Sequence, residues 1–371
     1  MNMKHDHTIY QDAVDLLKEL IRTPSFSREE DQTAGIITRF LGLHRIEHAR
    51  IANNVYALNR HFDPGKPTIL LNSHHDTVKP AKGYTLDPFT PEEKDGKLHG
   101  LGSNDAGGAL VALLAAFTHF HDAEDLSFNI AIAATAEEEI SGSGGIEYVL
   151  QSPHFIGSLR GSEITAAIVG EPTRMQMAVA EMGLLVVDAT ATGRAGHAAR
   201  NEGENAILKA VRDIEWIERY EFDKTSELLG PNKMSVTVIE TDNKAHNVVP
   251  DKCRFVVDIR VNEMYGFGEI LDIMRNNMQS GITPRSTRLR STSIPKDHPL
   301  VMAGLAMGRT CYGSPTTSDK ALMPFPALKM GPGDSARSHT ADEFIYISEI
   351  HEGIDLYVEI LERVLNGNQP V

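Results

Sequence analysis

The first half of the chain contains four short apolar runs that predict strands, and the run from Phe128 to Thr135 is typical of a strand covered on both faces. They lie at Asn53 to Leu58, Thr68 to Asn72, Phe128 to Thr135 and Thr165 to Val169. Segments of helical character separate them, so strands and helices alternate. This order predicts an α/β fold with a mostly parallel sheet and helices on both faces. The first run is expected to be a short edge strand.

Helical periodicity marks the segments between these runs. Ile9 to Ile21 is amphipathic, and Arg28 to Leu43 predicts a second helix that Ser27 and Glu30 open as a capping box. A helix of small residues is predicted from Asp105 to about His121. Its apolar part is too short and too rich in glycine to span a membrane, so it is interpreted as a buried helix.

The pattern changes after about residue 182. Strands and helices are predicted in the order β-α-β-β-α-β, which is that of a ferredoxin-like domain. The segments are Leu184 to Ala191, Glu204 to Tyr220, Met234 to Ile239, Cys253 to Val261, Gly268 to Met278 and Thr287 to Ser293. A helix from Pro299 to Tyr312, a strand from Ala327 to Met330 and a helix from Ile347 to Leu365 then resume the first pattern. We therefore predict a discontinuous domain, 1–178 with 294–371, and an inserted domain, 179–293.

Composition restricts the classes of partner. The 371 residues carry a formal net charge of −15, which disfavours nucleic acid and anionic membranes because both repel a negative surface. Small molecules and further copies of the chain are the expected partners. The N-terminal residues Met1 to His7 lack the apolar core of a signal peptide, and the only cysteines, Cys253 and Cys311, have no metal-ligand spacing. A reducing, cytoplasmic location is expected, with both cysteines acting as small apolar residues.

Acidic and histidine side chains follow the predicted strands. His74 and Asp76 end the second apolar run, and their i, i+2 spacing places both on one side of an extended strand, with His75 directed away. A metal ligand with its supporting carboxylate is one interpretation. A hydrogen-bonded pair in a loop is the other.

Four further signals share this placement and this ambiguity. Asp105 lies among glycines, where it is either a ligand or a helix N-cap. Glu137 to Glu139 follow a buried strand, and three adjacent carboxylates repel each other unless a cation compensates them or solvent screens them. Glu171 follows another strand, and His339 lies in a loop rich in glycine and proline. Together, at the strand ends of one sheet, these residues predict a metal site.

The segments that carry these residues resemble the zinc-dependent M20 deacylases and peptidases, with acetylornithine deacetylase and succinyl-diaminopimelate desuccinylase as the nearest branch. The resemblance covers essentially the whole chain. It rests on five motifs in the family's order: His74 to Val78, Gly102 to Gly108, Thr135 to Glu139, Gly170 to Thr173 and Gly331 to His339.

The resemblance implies a role for each matching residue. His74, Asp105 and Glu171 would hold one zinc ion, and Asp105, Glu139 and His339 a second one, with Asp105 bridging. Cobalt or manganese would be substitutes. Asp76 would support His74. The match of Thr135, Ala136 and Glu137 to the family motif makes Glu138 the general base.

The resemblance also extends to the inserted domain, as a lid and dimerisation domain. His197 would reach the active site of the partner subunit in a homodimer, and Asn247 and Arg260 would contact substrate. Arg260, Arg337, Lys320 and Lys329 suggest a substrate with one or more carboxylates.

The expected substrate is an N-acyl amino acid. The loop from Gly333 to Glu343 favours N-acetylornithine or a close relative, such as an acetylated or succinylated ornithine or citrulline of arginine biosynthesis. The alternatives are N-acetyl-lysine or N-succinyl-diaminopimelate of lysine biosynthesis, a dipeptide or acylated amino acid cleaved by the same metals, and a non-catalytic binding protein on the same scaffold.

Overall fold

The computed structural model describes residues 7–200 and 202–366, so the N-terminal segment considered above lies, except for His7, outside the described residues. The chain divides into two compact units. The first comprises Met1–Val179, Ser293–Tyr312 and Ser318–Val371, and the second comprises Ala180–Thr292 and Gly313–Thr317. The predicted assignment of these parts as catalytic and lid domains stays a prediction.

The helices and strands are numbered in chain order. Up to residue 181 they are α1 His7–Ile21, α2 Asp31–Leu43, β1 His48–Ile51, β2 Asn54–Leu58, β3 Thr68–His74, β4 Glu92–Lys94, β5 Lys97–His99, α3 Gly108–Phe120, β6 Asn129–Thr135, α4 Ile146–Gln151, α5 Pro153–Ser158, β7 Ile164–Val169 and β8 Met177–Glu181. The middle of the chain forms β9 Gly183–Thr192, β10 Gly196–His197, α6 Ala206–Arg219, β11 Lys233–Glu240, β12 Val248–Val249, β13 Lys252–Val261, α7 Phe267–Asn277 and β14 Gly281–Pro284. The last part forms β15 Thr292–Ser293, α8 Pro299–Ala306, β16 Cys311–Ser314, β17 Ala327–Lys329, β18 Phe344–Tyr346 and α9 Ile347–Leu365.

A large sheet forms the centre of the first unit. Its strand order is β1-β2-β6-β3-β7-β17-β8-β15, with β16 paired to β8. The four central strands, β6, β3, β7 and β17, run parallel to one another, whereas β1 and β2 are antiparallel additions. β3 and β6 are buried along their whole length, as expected of strands with helices on both faces. The predicted mostly parallel α/β sheet is confirmed.

The helix α3 is the most buried helix element of this unit. Its residues Gly108 to Phe117 are all buried, and it lies against α1 and α9. The prediction of a buried helix in this region is therefore confirmed. None of the helices within residues 7–200 and 202–366 combines the length and apolarity needed to cross a membrane.

The second unit contains a four-stranded antiparallel sheet with two helices. Its strand order is β11-β13-β9-β14, and along the chain the elements follow the predicted β-α-β-β-α-β order. Alternate residues of β9 and β13 are buried, and they pack with α6 and α7 in one apolar core that includes Cys253. Cys253 and Cys311 are both free thiols.

Two predicted strand positions were wrong. The strand that completes this sheet is Gly281–Pro284 and not Thr287 to Ser293. Glycine and proline hid it from the pattern, but β14 lies at the sheet edge, where a proline without an N–H is tolerated. Similarly, Asn54–Leu58 is not an edge strand, because the polar strand His48–Ile51 pairs outside it.

Two helix boundaries were also wrong. The helix α2 begins at Asp31, and Ser27 does not cap it, because the Ser27 hydroxyl donates to the carboxylate of Asp76 instead. The helix α8 ends at Ala306. Gly308, with φ of 74°, and Arg309 donate to Leu305 and Gly304 in the pattern of a Schellman cap, and a strand follows.

Asp213 holds the end of α7 in the second unit and offers a test of this packing. Its buried carboxylate on α6 accepts the backbone N–H groups of Gln279 and Ser280 at 3.0 and 2.9 Å, and also the Ser280 hydroxyl. We expect Asp213→Ala to lower the free energy of unfolding by about 2–4 kcal/mol, because buried donors lose their acceptor.

Urea unfolding followed by fluorescence measures this effect, since Trp216, the single tryptophan, lies on the same helix. The control is Glu215→Ala, an exposed position on α6, which should stay within about 0.5 kcal/mol of the parent. Equal stability of the two variants would contradict the assignment.

Candidate functional site

The parallel strands of the first unit deliver the predicted side chains to one edge of the sheet. β3 ends at His74, β6 ends just before Glu137 to Glu139, and β7 ends just before Glu171. β17 runs parallel to β7 and leads into the loop that contains His339. Because the carboxyl ends of parallel strands meet at one edge, residues far apart in sequence come together there.

His74, Asp105 and Glu171 form a first group of ligand-type side chains. The Nε2 atom of His74 lies 3.3 Å from Oδ1 of Asp105 and 3.9 Å from Oε1 of Glu171. One nitrogen or oxygen atom from each residue lies within 4.8 Å of the other two. One imidazole and two carboxylates at this spacing are a donor set suited to a divalent metal ion.

Asp105, Glu139 and His339 form a second group with the same spacing. The Nε2 atom of His339 lies 3.0 Å from Oε2 of Glu139 and 3.6 Å from Oδ2 of Asp105. Asp105 thus belongs to both groups, with one carboxylate oxygen facing each histidine. Asp105 is not the N-cap of α3, because the helix begins at Gly108 and its N-cap residue is Gly107.

Asp76 contacts His74 on the side opposite to the other candidate ligands. The Nδ1 atom of His74 lies 3.0 Å from the carbonyl oxygen and 3.4 Å from Oδ1 of Asp76. The Asp76 carboxylate also accepts the N–H groups of Glu138 and Glu139, both at 3.1 Å. One buried carboxylate therefore orients a histidine and the acidic segment together. His75 is directed away, as predicted, and contacts Thr33.

The hydrogen bonds and the pKa of His74 indicate whether these side chains are suited to bind a cation. An N–H at Nδ1, donated to Asp76, leaves the Nε2 lone pair facing carboxylate oxygens, so a proton or a cation is needed between them. Burial alone would lower the pKa of His74, but its hydrogen bonds with Asp105 and Asp76 raise that pKa well above the ordinary value.

The raised pKa values of the neighbouring acidic groups also indicate that this cluster is short of positive charge. Burial raises the pKa of Glu171 to about 8, although Lys329 opposes this rise. Burial and the charge of Glu171 also raise the pKa of Glu138 well above its ordinary value, against the effect of His74. A hydrogen bond with Glu139 raises the pKa of His339 to about 9. Carboxylates crowded in this way fit divalent cations, which lower the cost of keeping them ionised.

Glu138 lies beside both groups and belongs to neither. Its Oε2 atom is 4.0 Å from Nε2 of His74, and its N–H is held by Asp76. A half-buried carboxylate next to two sets of candidate ligand atoms has the position required of a proton acceptor.

Sequence reasoning missed two buried carboxylates at this edge. Asp319 is 4% exposed and accepts the Thr135 hydroxyl at 2.8 Å, and burial raises its pKa to about 6. Glu343 is 2% exposed, and burial raises its pKa to about 7. Neither follows an apolar run, so the strand-end rule could not identify them. For Glu343, its place four residues after His339 was the available signal.

The remaining predicted residues lie in the second unit. His197 is exposed in β10, its Nδ1 accepts the N–H of Ala199, and the adjacent N–H of Ala198 donates to the carbonyl of Asn247. Arg260 donates from Nε and Nη2 to the two oxygens of Asp258, at 2.9 and 3.1 Å. The substrate-binding roles of these residues stay predictions.

The cations expected to attract a substrate carboxylate are engaged within the protein. Arg337 donates to both oxygens of Glu349, at 2.9 and 2.6 Å. Lys320 is fully buried and donates to the carbonyl of Ala178, and Lys329 is buried as well. Buried charged side chains need such partners within the fold. The suggestion that these cations indicate a substrate with a carboxylate stays a prediction.

Comparison with known sequences identifies a matching family and similar proteins. Residues 70–363 match the model of peptidase family M20/M25/M40. Succinyl-diaminopimelate desuccinylase 2 from Ruegeria sp. (strain TM1040) is 30% identical over 275 residues, which cover 70% of this chain and 68% of the relative. Succinyl-diaminopimelate desuccinylase from Parvibaculum lavamentivorans is 26% identical over 390 residues and 96% of both chains.

Comparison with solved structures gives the same fold. A tripeptidase from Staphylococcus aureus superposes with a TM-score of 0.75 at 18% identity, covering 96% of this chain and 98% of the other. A dinuclear metal-binding M20 peptidase from Bacillus subtilis gives a TM-score of 0.71 at 15% identity, covering 97% and 99%.

These findings bear on the substrate expected from the sequence. The relatives described above are named desuccinylases, which agrees with the diaminopimelate alternative better than with acetylornithine. The match spans most of the chain, and the residues of the two ligand groups lie inside it. The chain belongs to peptidase family M20/M25/M40 and is a hydrolase of that family.

Proposed function

We propose that this protein is a metal-dependent amidohydrolase that removes the acyl group from an N-acyl amino acid, with N-succinyl-diaminopimelate as the first candidate substrate. The observation that carries the proposal is the position of Asp105. Its two carboxylate oxygens face two separate groups of ligand-type side chains, while the half-buried carboxylate of Glu138 stays outside both groups.

His74, Asp105 and Glu171 would hold one metal ion, and Asp105, Glu139 and His339 the other. Zinc is the proposed metal, because imidazole and carboxylate ligands suit it, and cobalt or manganese would substitute. A metal pair in such a site polarises a carbonyl group and lowers the pKa of water toward ~7.

Glu138 is the proposed general base. Its carboxylate takes a proton from a water molecule as the water oxygen attacks the amide carbonyl carbon. It then donates that proton to the leaving nitrogen as the carbon–nitrogen bond breaks, which yields a carboxylic acid and a free amine. Asp76 keeps the Nδ1 atom of His74 occupied, so that Nε2 faces the site.

The second unit would complete the site in a homodimer. His197 would stabilise the oxyanion of the tetrahedral intermediate in the partner subunit, and Asn247 and Arg260 would bind the substrate. His197 lies in β10, and Asn247 directly precedes β12, the strand that pairs with β10, so the proximity of the two residues supports a common role. For Arg260 to bind a substrate carboxylate, that carboxylate must share or displace Asp258.

Replacement of Glu138 tests the general base. We expect Glu138→Gln to retain two metal ions per chain and to reduce kcat by about 10²–10⁴-fold, because the amide cannot accept the proton. Metal content by elemental analysis and turnover are measured on the same sample. The matched control is Glu137→Gln, since Glu137 contacts Arg28 and Gly144. Near-normal turnover of Glu138→Gln would contradict the assignment.

A substrate panel tests the acyl and amino-acid specificity. The panel contains acetyl and succinyl derivatives of diaminopimelate, ornithine, citrulline and lysine, with dipeptides as a separate class. We expect the highest kcat/KM for N-succinyl-diaminopimelate and loss of all hydrolysis with a chelator, restored by zinc. Preference for an acylated ornithine or citrulline would return the function to the expectation from sequence, and preference for dipeptides would overturn the deacylase proposal.

Subunit complementation tests the role of His197. We expect His197→Ala to lose about 10²–10³-fold in kcat with unchanged metal content, as after removal of an oxyanion donor. Mixed dimers of His197→Ala and Glu138→Gln should regain activity, because one of their two sites has both residues. The control mixes His197→Ala with the double variant, which has no complete site. A verified mixed dimer without recovery would exclude sharing between subunits.

A further inference from the structure

We propose that Glu343 is a positioning residue for Asp105, and that it sets the orientation in which the two oxygens of Asp105 face the two ligand groups. This inference rests on the proposed metal centre. It assigns to a residue outside both groups the task of holding the ligand that they share.

The side chain of Glu343 accepts three backbone N–H groups of the segment that contains Asp105. Its Oε1 atom accepts from Asn104 and from Asp105, both at 2.9 Å, and its Oε2 atom accepts from Gly102 at 3.2 Å. Glu343 is 2% exposed, so solvent does not replace these contacts. A single carboxylate thus fixes the main chain directly at the shared ligand.

These amides have no partner within the helix that follows. Helix α3 begins at Gly108, and within the preceding turn Gly107 donates to the carbonyl of Gly102. A backbone N–H group that is buried needs an acceptor. Glu343 supplies one for each of these three amides, which precede the first turn of α3.

The surrounding backbone gives this segment little freedom. β18 pairs with β5, and the N–H of Gly100 donates to the carbonyl of Glu343 at 3.0 Å. Gly102 has φ of 74°, and a Cβ atom there would lie 2.6 Å from Thr77. Main-chain pairing therefore brings Glu343 to the turn, and the turn fits around its carboxylate.

The same short segment carries a ligand of the second group. Asp342 lies in the loop between His339 and Glu343. Its carboxylate accepts the N–H groups of Thr85 and Leu86 at 2.8 and 3.0 Å. Like Glu343, Asp342 is thus a carboxylate that accepts backbone N–H groups, but those of a different loop. Among the described residues, Asp342 forms no hydrogen bond or ion pair with a proposed ligand, so it offers a matched control.

Metal affinity of the apoprotein provides a test that does not depend on turnover. Zinc is titrated into metal-free enzyme against a competing chelator, and both binding steps are measured. We expect Glu343→Gln to weaken at least one step by about 10–100-fold, the range known for groups that support metal ligands, because an amide cannot accept three N–H groups. Asp342→Asn should bind both ions like the parent. Zinc-loaded Glu343→Gln should also show lower kcat without a matching rise in KM.

A second variant covers the case in which Glu343→Gln does not fold, as judged by circular dichroism. Glu343→Asp keeps the charge but shortens the side chain by one methylene, so it should show the same loss of metal affinity. Parental affinity in either folded variant, or an equal loss in Asp342→Asn, would overturn the proposal. If the parent binds two ions but cleaves no acylated amino acid, the proposed function fails and the positioning role stands.

Discussion

Repulsion between carboxylates is the constraint on which this site depends. The ends of β6 and β7 bring Glu138, Glu139 and Glu171 to one edge of a buried sheet, and Asp105 joins them from a loop. Folding removes these groups from water, which penalises their charged forms. Positive charge therefore stabilises the arrangement, and cations would supply it in the proposed enzyme.

Hydrogen bonds from backbone amides also stabilise carboxylates at this site. Asp76 and Glu343 together accept five N–H groups from the segments that carry Asp105, Glu138 and Glu139. Hydrogen bonds to an ionised carboxylate are strong and directional. They hold the acidic segments in one conformation, so the ligand oxygens are arranged before any cation arrives, and binding does not have to order the loops.

The strands and site residues that could be predicted from the sequence are those that follow a local pattern along the chain. Strands with two covered faces are continuous apolar runs, so β3, β6 and β7 were found, and the chemistry at their ends followed. Polar edge strands such as His48–Ile51 have no such pattern, because only one side of them is paired and covered. Asp319 and Glu343 were missed since a supporting carboxylate is defined by the amide or hydroxyl that it accepts, and contacts between distant segments leave no local periodicity.

The order in which the ligands occur along the chain has a consequence for biosynthesis. His74, Asp105 and Glu171 all precede the second unit, whereas β17, His339 and Glu343 follow it. During translation the first group is present on the nascent polypeptide long before the second can be built, and the sheet itself lacks a central strand until then. Assembly of the proposed two-ion centre would therefore require the segment from β17 to Glu343 to have left the ribosome.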